Sequence, residues 1–329
     1  MPELIYEVKE VFSSYTKELE QVEEELLNLF DSPAFFIPAI GKHIVRGGGK
    51  RLRPLFLLAS TDLFGYGEYP RIIIAGIIEA IHTASLLHDD IVDGAELRRG
   101  RPTAHTVWGN QVAVLVGDYL YSNALRLAVQ QNSQKIMDAL SEATTRMTEG
   151  ELLQLSKIGD PGVKEEEYLQ IIASKTGALI SAACRIGAIF GKADEKHEQA
   201  LSGFGLKTGM AFQMADDILD YMADESELGK RLGKDLDEGK ITMPIIHLLK
   251  VCNEKERTRL MDILTEDRHG DRGPEVLTDL FQKYYVIEES MKYALRLIEE
   301  AKRELGMFSP SQARDSLCCI AEYALQRKL

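Results

Sequence analysis

The sequence predicts an all-α fold, and two observations carry that prediction. Apolar residues recur at steps of three and four along most of the chain, with Glu and Lys between them, as in ELIYEVKEVFSSYTKELEQVEEELLNLF. This spacing gives a helix one apolar face. Strand signals, meaning alternation of apolar and polar residues between hairpin turns, are essentially absent from the sequence. We therefore expect a core that is built from packed helices.

Short polar or glycine-containing breaks separate the helical segments. They read GYGEYP, GDPG, GKADEKH, DRHGDRGP and GMFSP, and each has the length of a connection between packed helices. The run RIIIAGIIEAI has strand propensity, but its length and its continuation into HTASLLH favour a buried helix. No repeat or long linker divides the 329 residues, so we predict a single all-α domain over residues 1–329.

Composition narrows the function classes. Hydrophobic residues make up 45% of the chain and charged residues 28%, which is ordinary for a globular protein with a large core. The formal net charge of −13 argues against nucleic acid as a partner, because that binding depends on basic surface. The N-terminus lacks the features of a signal peptide, and the most apolar stretches are too short or too charged for a transmembrane segment. We expect a soluble protein of the cytoplasm.

Two apolar segments, LLHDDIVDG and MADDILDYM, each carry the pattern D-D-x-x-D. On a helix Asp89 and Asp93 lie one turn apart on one face, and Asp216 and Asp220 repeat the arrangement. Carboxylates this close resist burial unless a cation lies among them. Mg²⁺ takes such oxygen ligands and shares its remaining positions with substrate phosphates. The sequence thus predicts a site for a diphosphate and several Mg²⁺ ions.

Other interpretations of these clusters remain open at this point. A single D-D-x-x-D segment is just as typical of a solvated acidic helix end, although flanking residues such as Leu86 and Ile218 indicate that both clusters border the core. The pair His88–Asp89 also occurs in metal-dependent phosphohydrolases of the HD type. That class needs further histidine ligands, and none of the seven histidines repeats the pairing.

Two basic segments could complement an anion. GKHIVRGGGKRLRP, residues 41–54, contains five cations and no acid, and its three consecutive glycines expose backbone N–H groups. It is not a Walker P-loop, because Ile44 and Arg51 stand where glycine and Ser/Thr are required. ELRRGRPTAH, residues 96–105, brings three arginines directly after the first acidic cluster. Each segment is also compatible with a basic surface turn, or with arginines that only neutralise the carboxylates.

These segments, with SKTGALI and GMAFQMADDILDYMADESELGKRLGKDLDEGKITMPII, resemble the ordered signatures of the trans-polyprenyl diphosphate synthase family. The resemblance spans essentially the whole chain and is strongest with the bacterial long-chain members, the octaprenyl diphosphate synthases. It implies a single-domain isoprenoid-synthase helical bundle around a deep central cavity, in a homodimer. It further implies repeated addition of isopentenyl diphosphate to an allylic diphosphate such as farnesyl diphosphate, with several Mg²⁺ ions in each active site. The product would supply the side chain of a respiratory quinone.

The resemblance also assigns roles to residues of this chain. The implied Mg²⁺ ligands are Asp89, Asp93 and Asp216, with Asp90, Asp217 and Asp220 in support. The implied contacts to isopentenyl diphosphate are Lys50, Arg53, His82 and Arg99. The implied contacts to the allylic diphosphate are Arg98, Lys175, Thr176, Gln213, Lys230 and Lys240. The implied catalytic set comprises Asp89, Asp93, Asp216, Lys175, Thr176 and Gln213. One departure, Arg231 in place of the proline that bacterial relatives often carry after LGK, concerns the stiffness of a loop.

Ala84 and Ser85 bear on product length. They stand five and four residues before Asp89, about 6–8 Å along a helix. In short-chain relatives, aromatic residues near these positions close the floor of the product tunnel, so small residues imply a product of the long-chain type. Both residues are equally suited to close packing of helices, and the two roles are compatible.

Three other functions fit part of the pattern. A prenyl diphosphate synthase with a shorter product would share the motifs, although small residues at Ala84 and Ser85 argue against it. A class I terpene cyclase or a head-to-head condensing enzyme would share the metal chemistry, but it would not need GGGKRLRP for isopentenyl diphosphate. A non-catalytic partner subunit should lack intact aspartate clusters, whereas this chain has both. A long-chain prenyltransferase accounts for all of the segments.

Overall fold

A computed structural model describes residues 2–222, 234–265 and 273–325. Helices account for nearly all of its regular structure, and the strands within these ranges are the two-residue pair β1 (Leu97–Arg98) and β2 (Arg101–Pro102). The all-α prediction is confirmed. Two compact units divide the chain. The first comprises Met1–Thr144, Leu179–Gly205 and Leu305–Tyr323, and the second comprises Thr145–Ala178, Leu206–Glu304 and Ala324–Leu329.

The helices of the described ranges follow in chain order. The N-terminal helices are α1 (Pro2–Ser14), α2 (Thr16–Asn28), α3 (Phe36–Arg46), α4 (Leu52–Asp62), α5 (Pro70–Val92), α6 (Ala104–Trp108), α7 (Asn110–Val129) and α8 (Gln134–Ser156). The next elements are α9 (Glu165–Ile172), a π-helical turn (Ala173–Gly177), α10 (Ala178–Phe190), α11 (Glu195–Asp220) and α12 (Lys234–Asp237). The last are α13 (Met243–Val251), α14 (Glu254–Thr265), α15 (Gly273–Tyr284), α16 (Val286–Glu304), a 3₁₀ turn (Leu305–Met307) and α17 (Gln312–Leu325).

α5 is the core helix of the first unit, and it carries the first aspartate cluster at its C-terminal end. It packs against α2, α4 and α7, and the side chains of Ile74, Ile77, Ile78 and Ile81 are at most 1% exposed. These residues lie on several faces of the helix, as expected where neighbours surround it. The interpretation of RIIIAGIIEAI as a buried helix rather than a strand is confirmed.

Gly117 allows α7 to approach the aspartate end of α5. A Cβ atom at position 117 would lie 2.3 Å from Nε2 of His88, which is far inside van der Waals contact. His88 uses this space to donate a hydrogen bond from Nε2 to the carbonyl oxygen of Val114 at 3.2 Å. The residue directly before Asp89 is thus fixed against α7.

The segment EEYLQIIASKTGALISAACRIGAIF forms the helical run that its periodicity predicts, with one irregularity. Between α9 and α10, residues Ala173–Gly177 form a π-helical turn, and this turn carries Lys175 and Thr176. π-Helical turns within α-helices occur frequently at functional sites. The π-helical turn therefore indicates a functional role for Lys175 and Thr176, independently of any sequence motif.

The predicted breaks fall between helices where the structure describes them, and DRHGDRGP lies largely outside the described residues. The first predicted helical segment consists of two helices, since the chain breaks between α1 and α2 at Tyr15. The side chain of Tyr15 is buried, and its hydroxyl donates to Asp62 at 2.7 Å. A tertiary contact thus accompanies the boundary between α1 and α2, which the spacing of apolar residues does not reveal.

Three helical segments are long and apolar enough to cross a membrane by length and composition, namely Pro70–Val92, Asn110–Val129 and Glu165–Phe190. Within the fold, 72% and 83% of the apolar window are buried in the first and third, but only 33% in the second. Core packing accounts for the apolar character of the first and third segments. The second segment is α7, which keeps an exposed apolar face.

Candidate active site

A cavity in the first unit brings together residues from α3, α5 and the β1–β2 hairpin. The predicted site residues in its lining are His82, Asp90, Arg98 and Arg99. The other polar residues of the lining include His43, Arg51, Glu79, Thr83, Arg101 and Thr103. Arginines outnumber acids in this lining, so the cavity is suited to a small anion such as a diphosphate.

The β1–β2 hairpin presents the arginines to this cavity. Its strands pair in antiparallel register, so that Arg99 and Gly100 form a two-residue turn between Arg98 and Arg101. Both turn residues have positive φ, +52° and +74°, as a type I′ turn requires, and glycine adopts this conformation without strain. The guanidinium of Arg99 donates to the carbonyl oxygen of Gly48. This bond ties the turn to the triple-glycine loop.

Asp90 is held by an arginine of the same cavity. Its side chain is buried, and its Oδ1 accepts from Nε of Arg98 at 2.8 Å and lies 2.7 Å from Nη2. Asp89 and Asp93 are half-buried, and Asp93 follows α5 as its C-cap in helical conformation. The first cluster thus combines an aspartate that positions Arg98 with two that keep the one-turn spacing predicted for metal ligands.

His82 lies within the field of several arginines. Burial lowers the pKa of His82 well below its usual value, and the charges of Arg53, Arg98 and Arg99 lower it further. A neutral imidazole has one donor and one acceptor nitrogen. His82 can therefore donate a hydrogen bond to a phosphate oxygen without adding a positive charge to a site that already contains several.

The cations in and after the triple-glycine loop (residues 47–49) have different surroundings in the fold. Arg51 is buried, and its guanidinium lies 3.0 Å from Oε1 of Glu23 and 2.8 Å from Oε1 of Glu79, so its charge is neutralised within the fold. Lys50 is exposed and lies 4.5 Å from the ring centroid of Tyr323, where it lines a different cleft of the first unit. Of the four residues predicted to contact isopentenyl diphosphate, His82 and Arg99 line the cavity. Arg53 is not part of the lining, although its charge reaches His82, and Lys50 lies away from the cavity over Tyr323.

A pocket in the second unit gathers most of the residues predicted for the allylic diphosphate. The predicted site residues in its lining are Lys175, Gln213, Asp217 and Lys240. Thr176 is buried and bonded to one of these residues. Arg98 lies in the first-unit cavity instead, and Lys230 lies outside the described residues.

A chain of hydrogen bonds links the π-helical turn to the second aspartate cluster. The hydroxyl of Thr176 donates to Oε1 of Gln213 at 2.7 Å, and Nε2 of Gln213 donates to Oδ1 of Asp217 at 2.8 Å. The phenol of Tyr168 donates to the other carboxylate oxygen, Oδ2 of Asp217, at 2.7 Å. Both oxygens of Asp217 are thus engaged by neutral donors.

Lys175 is oriented by residues of α8. Its ammonium lies 2.6 Å from Oε2 of Glu151 and donates to Oε1 of Gln154 at 2.7 Å. Lys240 lies 2.6 Å from Oε2 of Glu238. Each lysine thus has a glutamate partner with which an incoming diphosphate would compete.

Carboxylates of the second cluster lie in and beside the second unit's pocket. Burial raises the pKa of Asp217 to about 6 against the hydrogen bonds from Gln213 and Tyr168, and the charges of Asp216 and Asp220 contribute to the increase. A carboxylate with neighbours of like charge binds its proton more tightly unless a cation compensates. The second cluster therefore has more negative charge than its own hydrogen bonds stabilise.

Asp235 adds another acid to this region. Burial and the charges of Asp217 and Asp220 raise the pKa of Asp235 to about 8, and its backbone N–H donates to Oδ2 of Asp220 at 2.9 Å. Carboxylate oxygens are the preferred ligands of Mg²⁺, so this donor set fits that ion. In the described part of the chain, no three His, Cys, Asp or Glu side chains already form a closed metal-binding group. The assignment of individual Mg²⁺ ligands stays a prediction.

Sequence reasoning missed four residues of this pocket and its surroundings, namely Glu151, Gln154, Tyr168 and Asp235. Tyr168 stands seven residues before Lys175, which is two helical turns, so periodicity alone places both on one side of the helical run. Asp235 lies within KDLDEGK, part of the long block that carries the family resemblance. Glu151 and Gln154 form an i,i+3 pair on α8 with no motif to mark them.

Ala84 and Ser85 lie on α5 before the first cluster. Ala84 is fully buried, and the hydroxyl of Ser85 donates to the carbonyl oxygen of His82 at 2.8 Å. This bond turns the hydroxyl back onto the helix, so that Ser85 presents little polar surface to its surroundings. The role of both residues in product length stays a prediction.

Comparison with known proteins gives consistent results. A sequence profile of the polyprenyl synthetase family matches residues 36–280. The octaprenyl diphosphate synthase of Escherichia coli (strain K12) is 36% identical over 306 residues, which cover 93% of this chain and 94% of that protein. The short chain isoprenyl diphosphate synthase of Methanothermobacter thermautotrophicus is 35% identical over 331 residues, which cover 98% and 99%. The crystal structure of a polyprenyl synthase from Caulobacter crescentus CB15, complexed with calcium and isoprenyl diphosphate, matches with a TM-score of 0.91 and 34% identity over 98% of both chains.

Proposed function

Because the chain belongs to the polyprenyl synthetase family and is a prenyltransferase that makes trans-prenyl diphosphates, we propose that it is a long-chain, octaprenyl-type synthase. It adds isopentenyl diphosphate repeatedly to an allylic diphosphate, with farnesyl diphosphate as the starter. Its product supplies the side chain of a respiratory quinone. The family membership confirms the resemblance on which the sequence analysis relied.

The buried methyl side chain of Ala84 is the observation that carries the proposed product length. The Escherichia coli relative makes octaprenyl diphosphate, but the Methanothermobacter relative, at nearly the same identity, is a short chain synthase. Overall sequence identity therefore does not decide between a long and a short product. The proposed length rests instead on the residues along α5. A shorter-chain synthase is the second candidate function, favoured by the Methanothermobacter relative.

Isopentenyl diphosphate binds in the cavity of the first unit. Arg53 and Arg99 contribute charge, and neutral His82 donates a hydrogen bond. Lys50 joins them only after it leaves the ring of Tyr323. An exposed cation–π contact contributes about 0.5–1 kcal/mol, whereas a hydrogen bond to a charged group contributes about 1.5–3 kcal/mol. The diphosphate therefore has the stronger attraction for the ammonium.

Mg²⁺ ions bind at both aspartate clusters. The proposed ligands are Asp89 and Asp93 with Asp90 in the first cluster, and Asp216 with Asp217 and Asp220 in the second. When bound at these carboxylates, Mg²⁺ would supply Lewis-acid stabilisation of the negative charge on a diphosphate. The raised pKa values of Asp217 and Asp235 support a cation in the second cluster, and the calcium of the Caulobacter complex supports a divalent ion.

Side chains of the second unit bind the allylic diphosphate and steady the carbocation. Lys175, Lys230 and Lys240 stabilise the departing diphosphate, with Arg98 as a further contact. The oxygen atoms of Thr176 and Gln213 stabilise the allylic cation. The double bond of isopentenyl diphosphate attacks this cation, and the departing diphosphate removes the proton, so no side-chain base is required. Apolar walls exclude water, which would otherwise trap the cation.

A second copy of the chain covers the exposed face of α7. Val114, Leu115 and Val129 are 38%, 67% and 58% exposed, although they lie on one of the most apolar helices of the protein. Exposed large apolar side chains on such a helix are typical of an interaction surface, and a two-fold dimer lets one such surface cover another. This supports a homodimer.

We further propose that residues 1–329 form one domain in the cytoplasm, with no transmembrane segment and no nucleic acid partner. Neither compact unit is continuous in sequence, which supports a single domain. The burial of two of the three apolar segments supports the absence of a transmembrane segment, and the net charge of −13 supports the absence of a nucleic acid partner.

One incubation tests the proposed function. The protein is mixed with labelled isopentenyl diphosphate, farnesyl diphosphate and Mg²⁺, and the products are sized by chromatography. A long-chain synthase gives polyprenyl diphosphates of octaprenyl length. Accumulation of short products would favour the second candidate. Hydrocarbons formed without uptake of isopentenyl diphosphate would indicate a terpene cyclase, and the absence of any product would indicate a non-catalytic subunit.

A further inference from the structure

We propose that Tyr168 is a positioning residue of the prenyl transfer reaction, which fixes Asp217, Gln213 and, through them, Thr176. The inference rests on the proposed function of the second unit's pocket. Tyr168 lies on α9 and belongs to none of the family segments from which the site residues were predicted. Its side chain is 3% exposed, and its hydroxyl donates to Oδ2 of Asp217 at 2.7 Å.

The hydrogen bonds that lead from Asp217 through Gln213 to Thr176 form a series, and the direction of each bond follows from the one before it. An ionised carboxylate can only accept hydrogen bonds, so both Tyr168 and Gln213 must donate to Asp217. Donation by Nε2 of Gln213 fixes the orientation of its amide and leaves Oε1 to face Thr176. The hydroxyl of Thr176 must therefore donate to Gln213, as the 2.7 Å contact shows.

This ordering matters for a cationic intermediate. With its hydrogen committed to Gln213, the hydroxyl of Thr176 presents lone pairs rather than a hydrogen to its other neighbours. Lone pairs stabilise a positive charge, whereas a hydrogen pointing at it would destabilise it. Tyr168 acts on this chemistry only through Asp217. It donates to Oδ2 of Asp217, whereas Gln213 donates to Oδ1.

Packing alone does not account for the hydroxyl of Tyr168. A phenylalanine would fill the same buried space, and burial of a hydroxyl without a partner is unfavourable. The partner is a carboxylate that is itself buried among other acids. Groups that orient metal-binding side chains typically change metal affinity or activity by about 10–100-fold when they are removed.

The variant Tyr168→Phe tests the proposal, since it keeps the ring and removes one donor. We expect a folded protein by circular dichroism, with kcat lowered by about 10–100-fold and KM for isopentenyl diphosphate within about twofold of wild type. Binding of inorganic diphosphate in the presence of Mg²⁺, measured by calorimetry, should weaken by about tenfold. The calorimetric readout needs no turnover, so it remains informative even if the wild-type protein makes no polyprenyl product and the proposed function fails.

Tyr221→Phe is the matched control. Tyr221 stands one residue after the second cluster, and its buried hydroxyl makes no hydrogen bond to the described aspartates. Its removal should leave kcat and diphosphate binding within about twofold, because this hydroxyl donates no hydrogen bond to the aspartates of the cluster. In the background Asp217→Asn, Tyr168→Phe should have no further effect, because residues that act as a unit are not additive.

Three outcomes would overturn the proposal. Tyr168→Phe with wild-type kcat and diphosphate affinity would show that the hydroxyl has no role in the reaction. An effect of full size in the Asp217→Asn background would show that Tyr168 does not act through Asp217. Loss of folding in Tyr168→Phe, with Tyr221→Phe folded, would assign the residue to the core.

Discussion

The cavity of the first unit and the pocket of the second unit are both candidates for a diphosphate, yet their acids are compensated differently. In the first, arginines surround neutral His82, and the buried acid Asp90 is already paired with Arg98. In the second, the lysines have glutamate partners, and Asp217 and Asp235 have raised pKa values. The charges of the first favour an anion as they stand, whereas a cation in the second would offset the acids of the second cluster.

Under the proposed function, this comparison accounts for the different treatment of two diphosphates by one enzyme. A diphosphate that must survive intact is best held by fixed cations and neutral donors. A diphosphate that must leave is best held where its developing charge is met by ions that bind with it. Under the proposed function, the difference in local charge separates a substrate-binding role from an ionising role. The experiments on cations, carboxylates and basic residues test that separation, and the last experiment tests product length.

Removal of divalent cations should have the largest effect. After exhaustive chelation we expect turnover to fall by at least about 10³-fold, equivalent to about 4 kcal/mol of transition-state stabilisation. Binding of isopentenyl diphosphate to the first-unit cavity should change little, and calorimetry with each substrate alone measures this. Full turnover without divalent cations, or equal loss of binding for both substrates, would contradict the proposed difference between the two regions.

Loss of single carboxylates should come next. Asp89→Ala and Asp216→Ala should each lower kcat by about 10²–10³-fold, since each removes a group needed mainly in the ionising transition state. Circular dichroism should show an intact fold. Asp138→Ala, on the exposed surface of α8, is the control and should leave kcat unchanged. Unfolding of either cluster variant, or near-normal turnover, would contradict the assignment.

The basic residues should separate the two substrates with a smaller effect. Arg53→Ala or Arg99→Ala should raise KM for isopentenyl diphosphate by about 10–100-fold, the equivalent of one charge-assisted hydrogen bond. Lys175→Ala should instead impair the allylic substrate or its ionisation. Steady-state kinetics with each substrate varied in turn would expose an inverted pattern.

Lys50→Ala sharpens the same test. In this structure its ammonium lies over Tyr323 and not in the His82 cavity. A raised KM for isopentenyl diphosphate would show that Lys50 moves to the substrate, with an effect below that of Arg99→Ala by the cost of leaving the ring, about 0.5–1 kcal/mol. An unchanged KM would remove Lys50 from the proposed site.

Product length should respond with the smallest change in rate. Ala84→Phe places a ring on α5 before Asp89 and leaves the charged groups of both regions in place. Early condensations should continue, and products should become shorter, because accommodation of a chain beside the ring means overpacking at about 1–3 kcal/mol. Each 1.4 kcal/mol is about a tenfold bias towards release. If chromatography shows the parental length as the main product, Ala84 does not border the growing chain.

The sequence predicts the helices and the chemical character of the sites, but not every partner. Periodicity is enough for α5, since apolar residues on several of its faces indicate a buried helix. It does not show the π-helical turn at Lys175 and Thr176, because a one-residue change in helical pitch leaves the pattern of apolar residues almost unaltered. The motif that contains Asp90 also gives no sign that this aspartate pairs with Arg98.

Tertiary contacts decide the remaining features. Lys50 is adjacent in sequence to Arg51, yet one is exposed over Tyr323 and the other is buried between two glutamates. Local sequence does not distinguish the two cations, since the distinction depends on α2, α5 and α17. Asp235 is likewise an ordinary acid in the sequence, and only the fold brings it beside the second cluster.

The contact between His88 and Gly117 has a consequence for how this protein can evolve. Any side chain at position 117 would occupy the place of the imidazole, and the imidazole is attached to the residue directly before Asp89. A lineage that acquires alanine at 117 must also move the imidazole of His88, which then loses its hydrogen bond to Val114, or exchange His88 for a smaller residue. Among descendants of this sequence, replacement of Gly117 should therefore be accompanied by replacement or reorientation of His88, although the two positions are 29 residues apart and neither is predicted to touch a substrate.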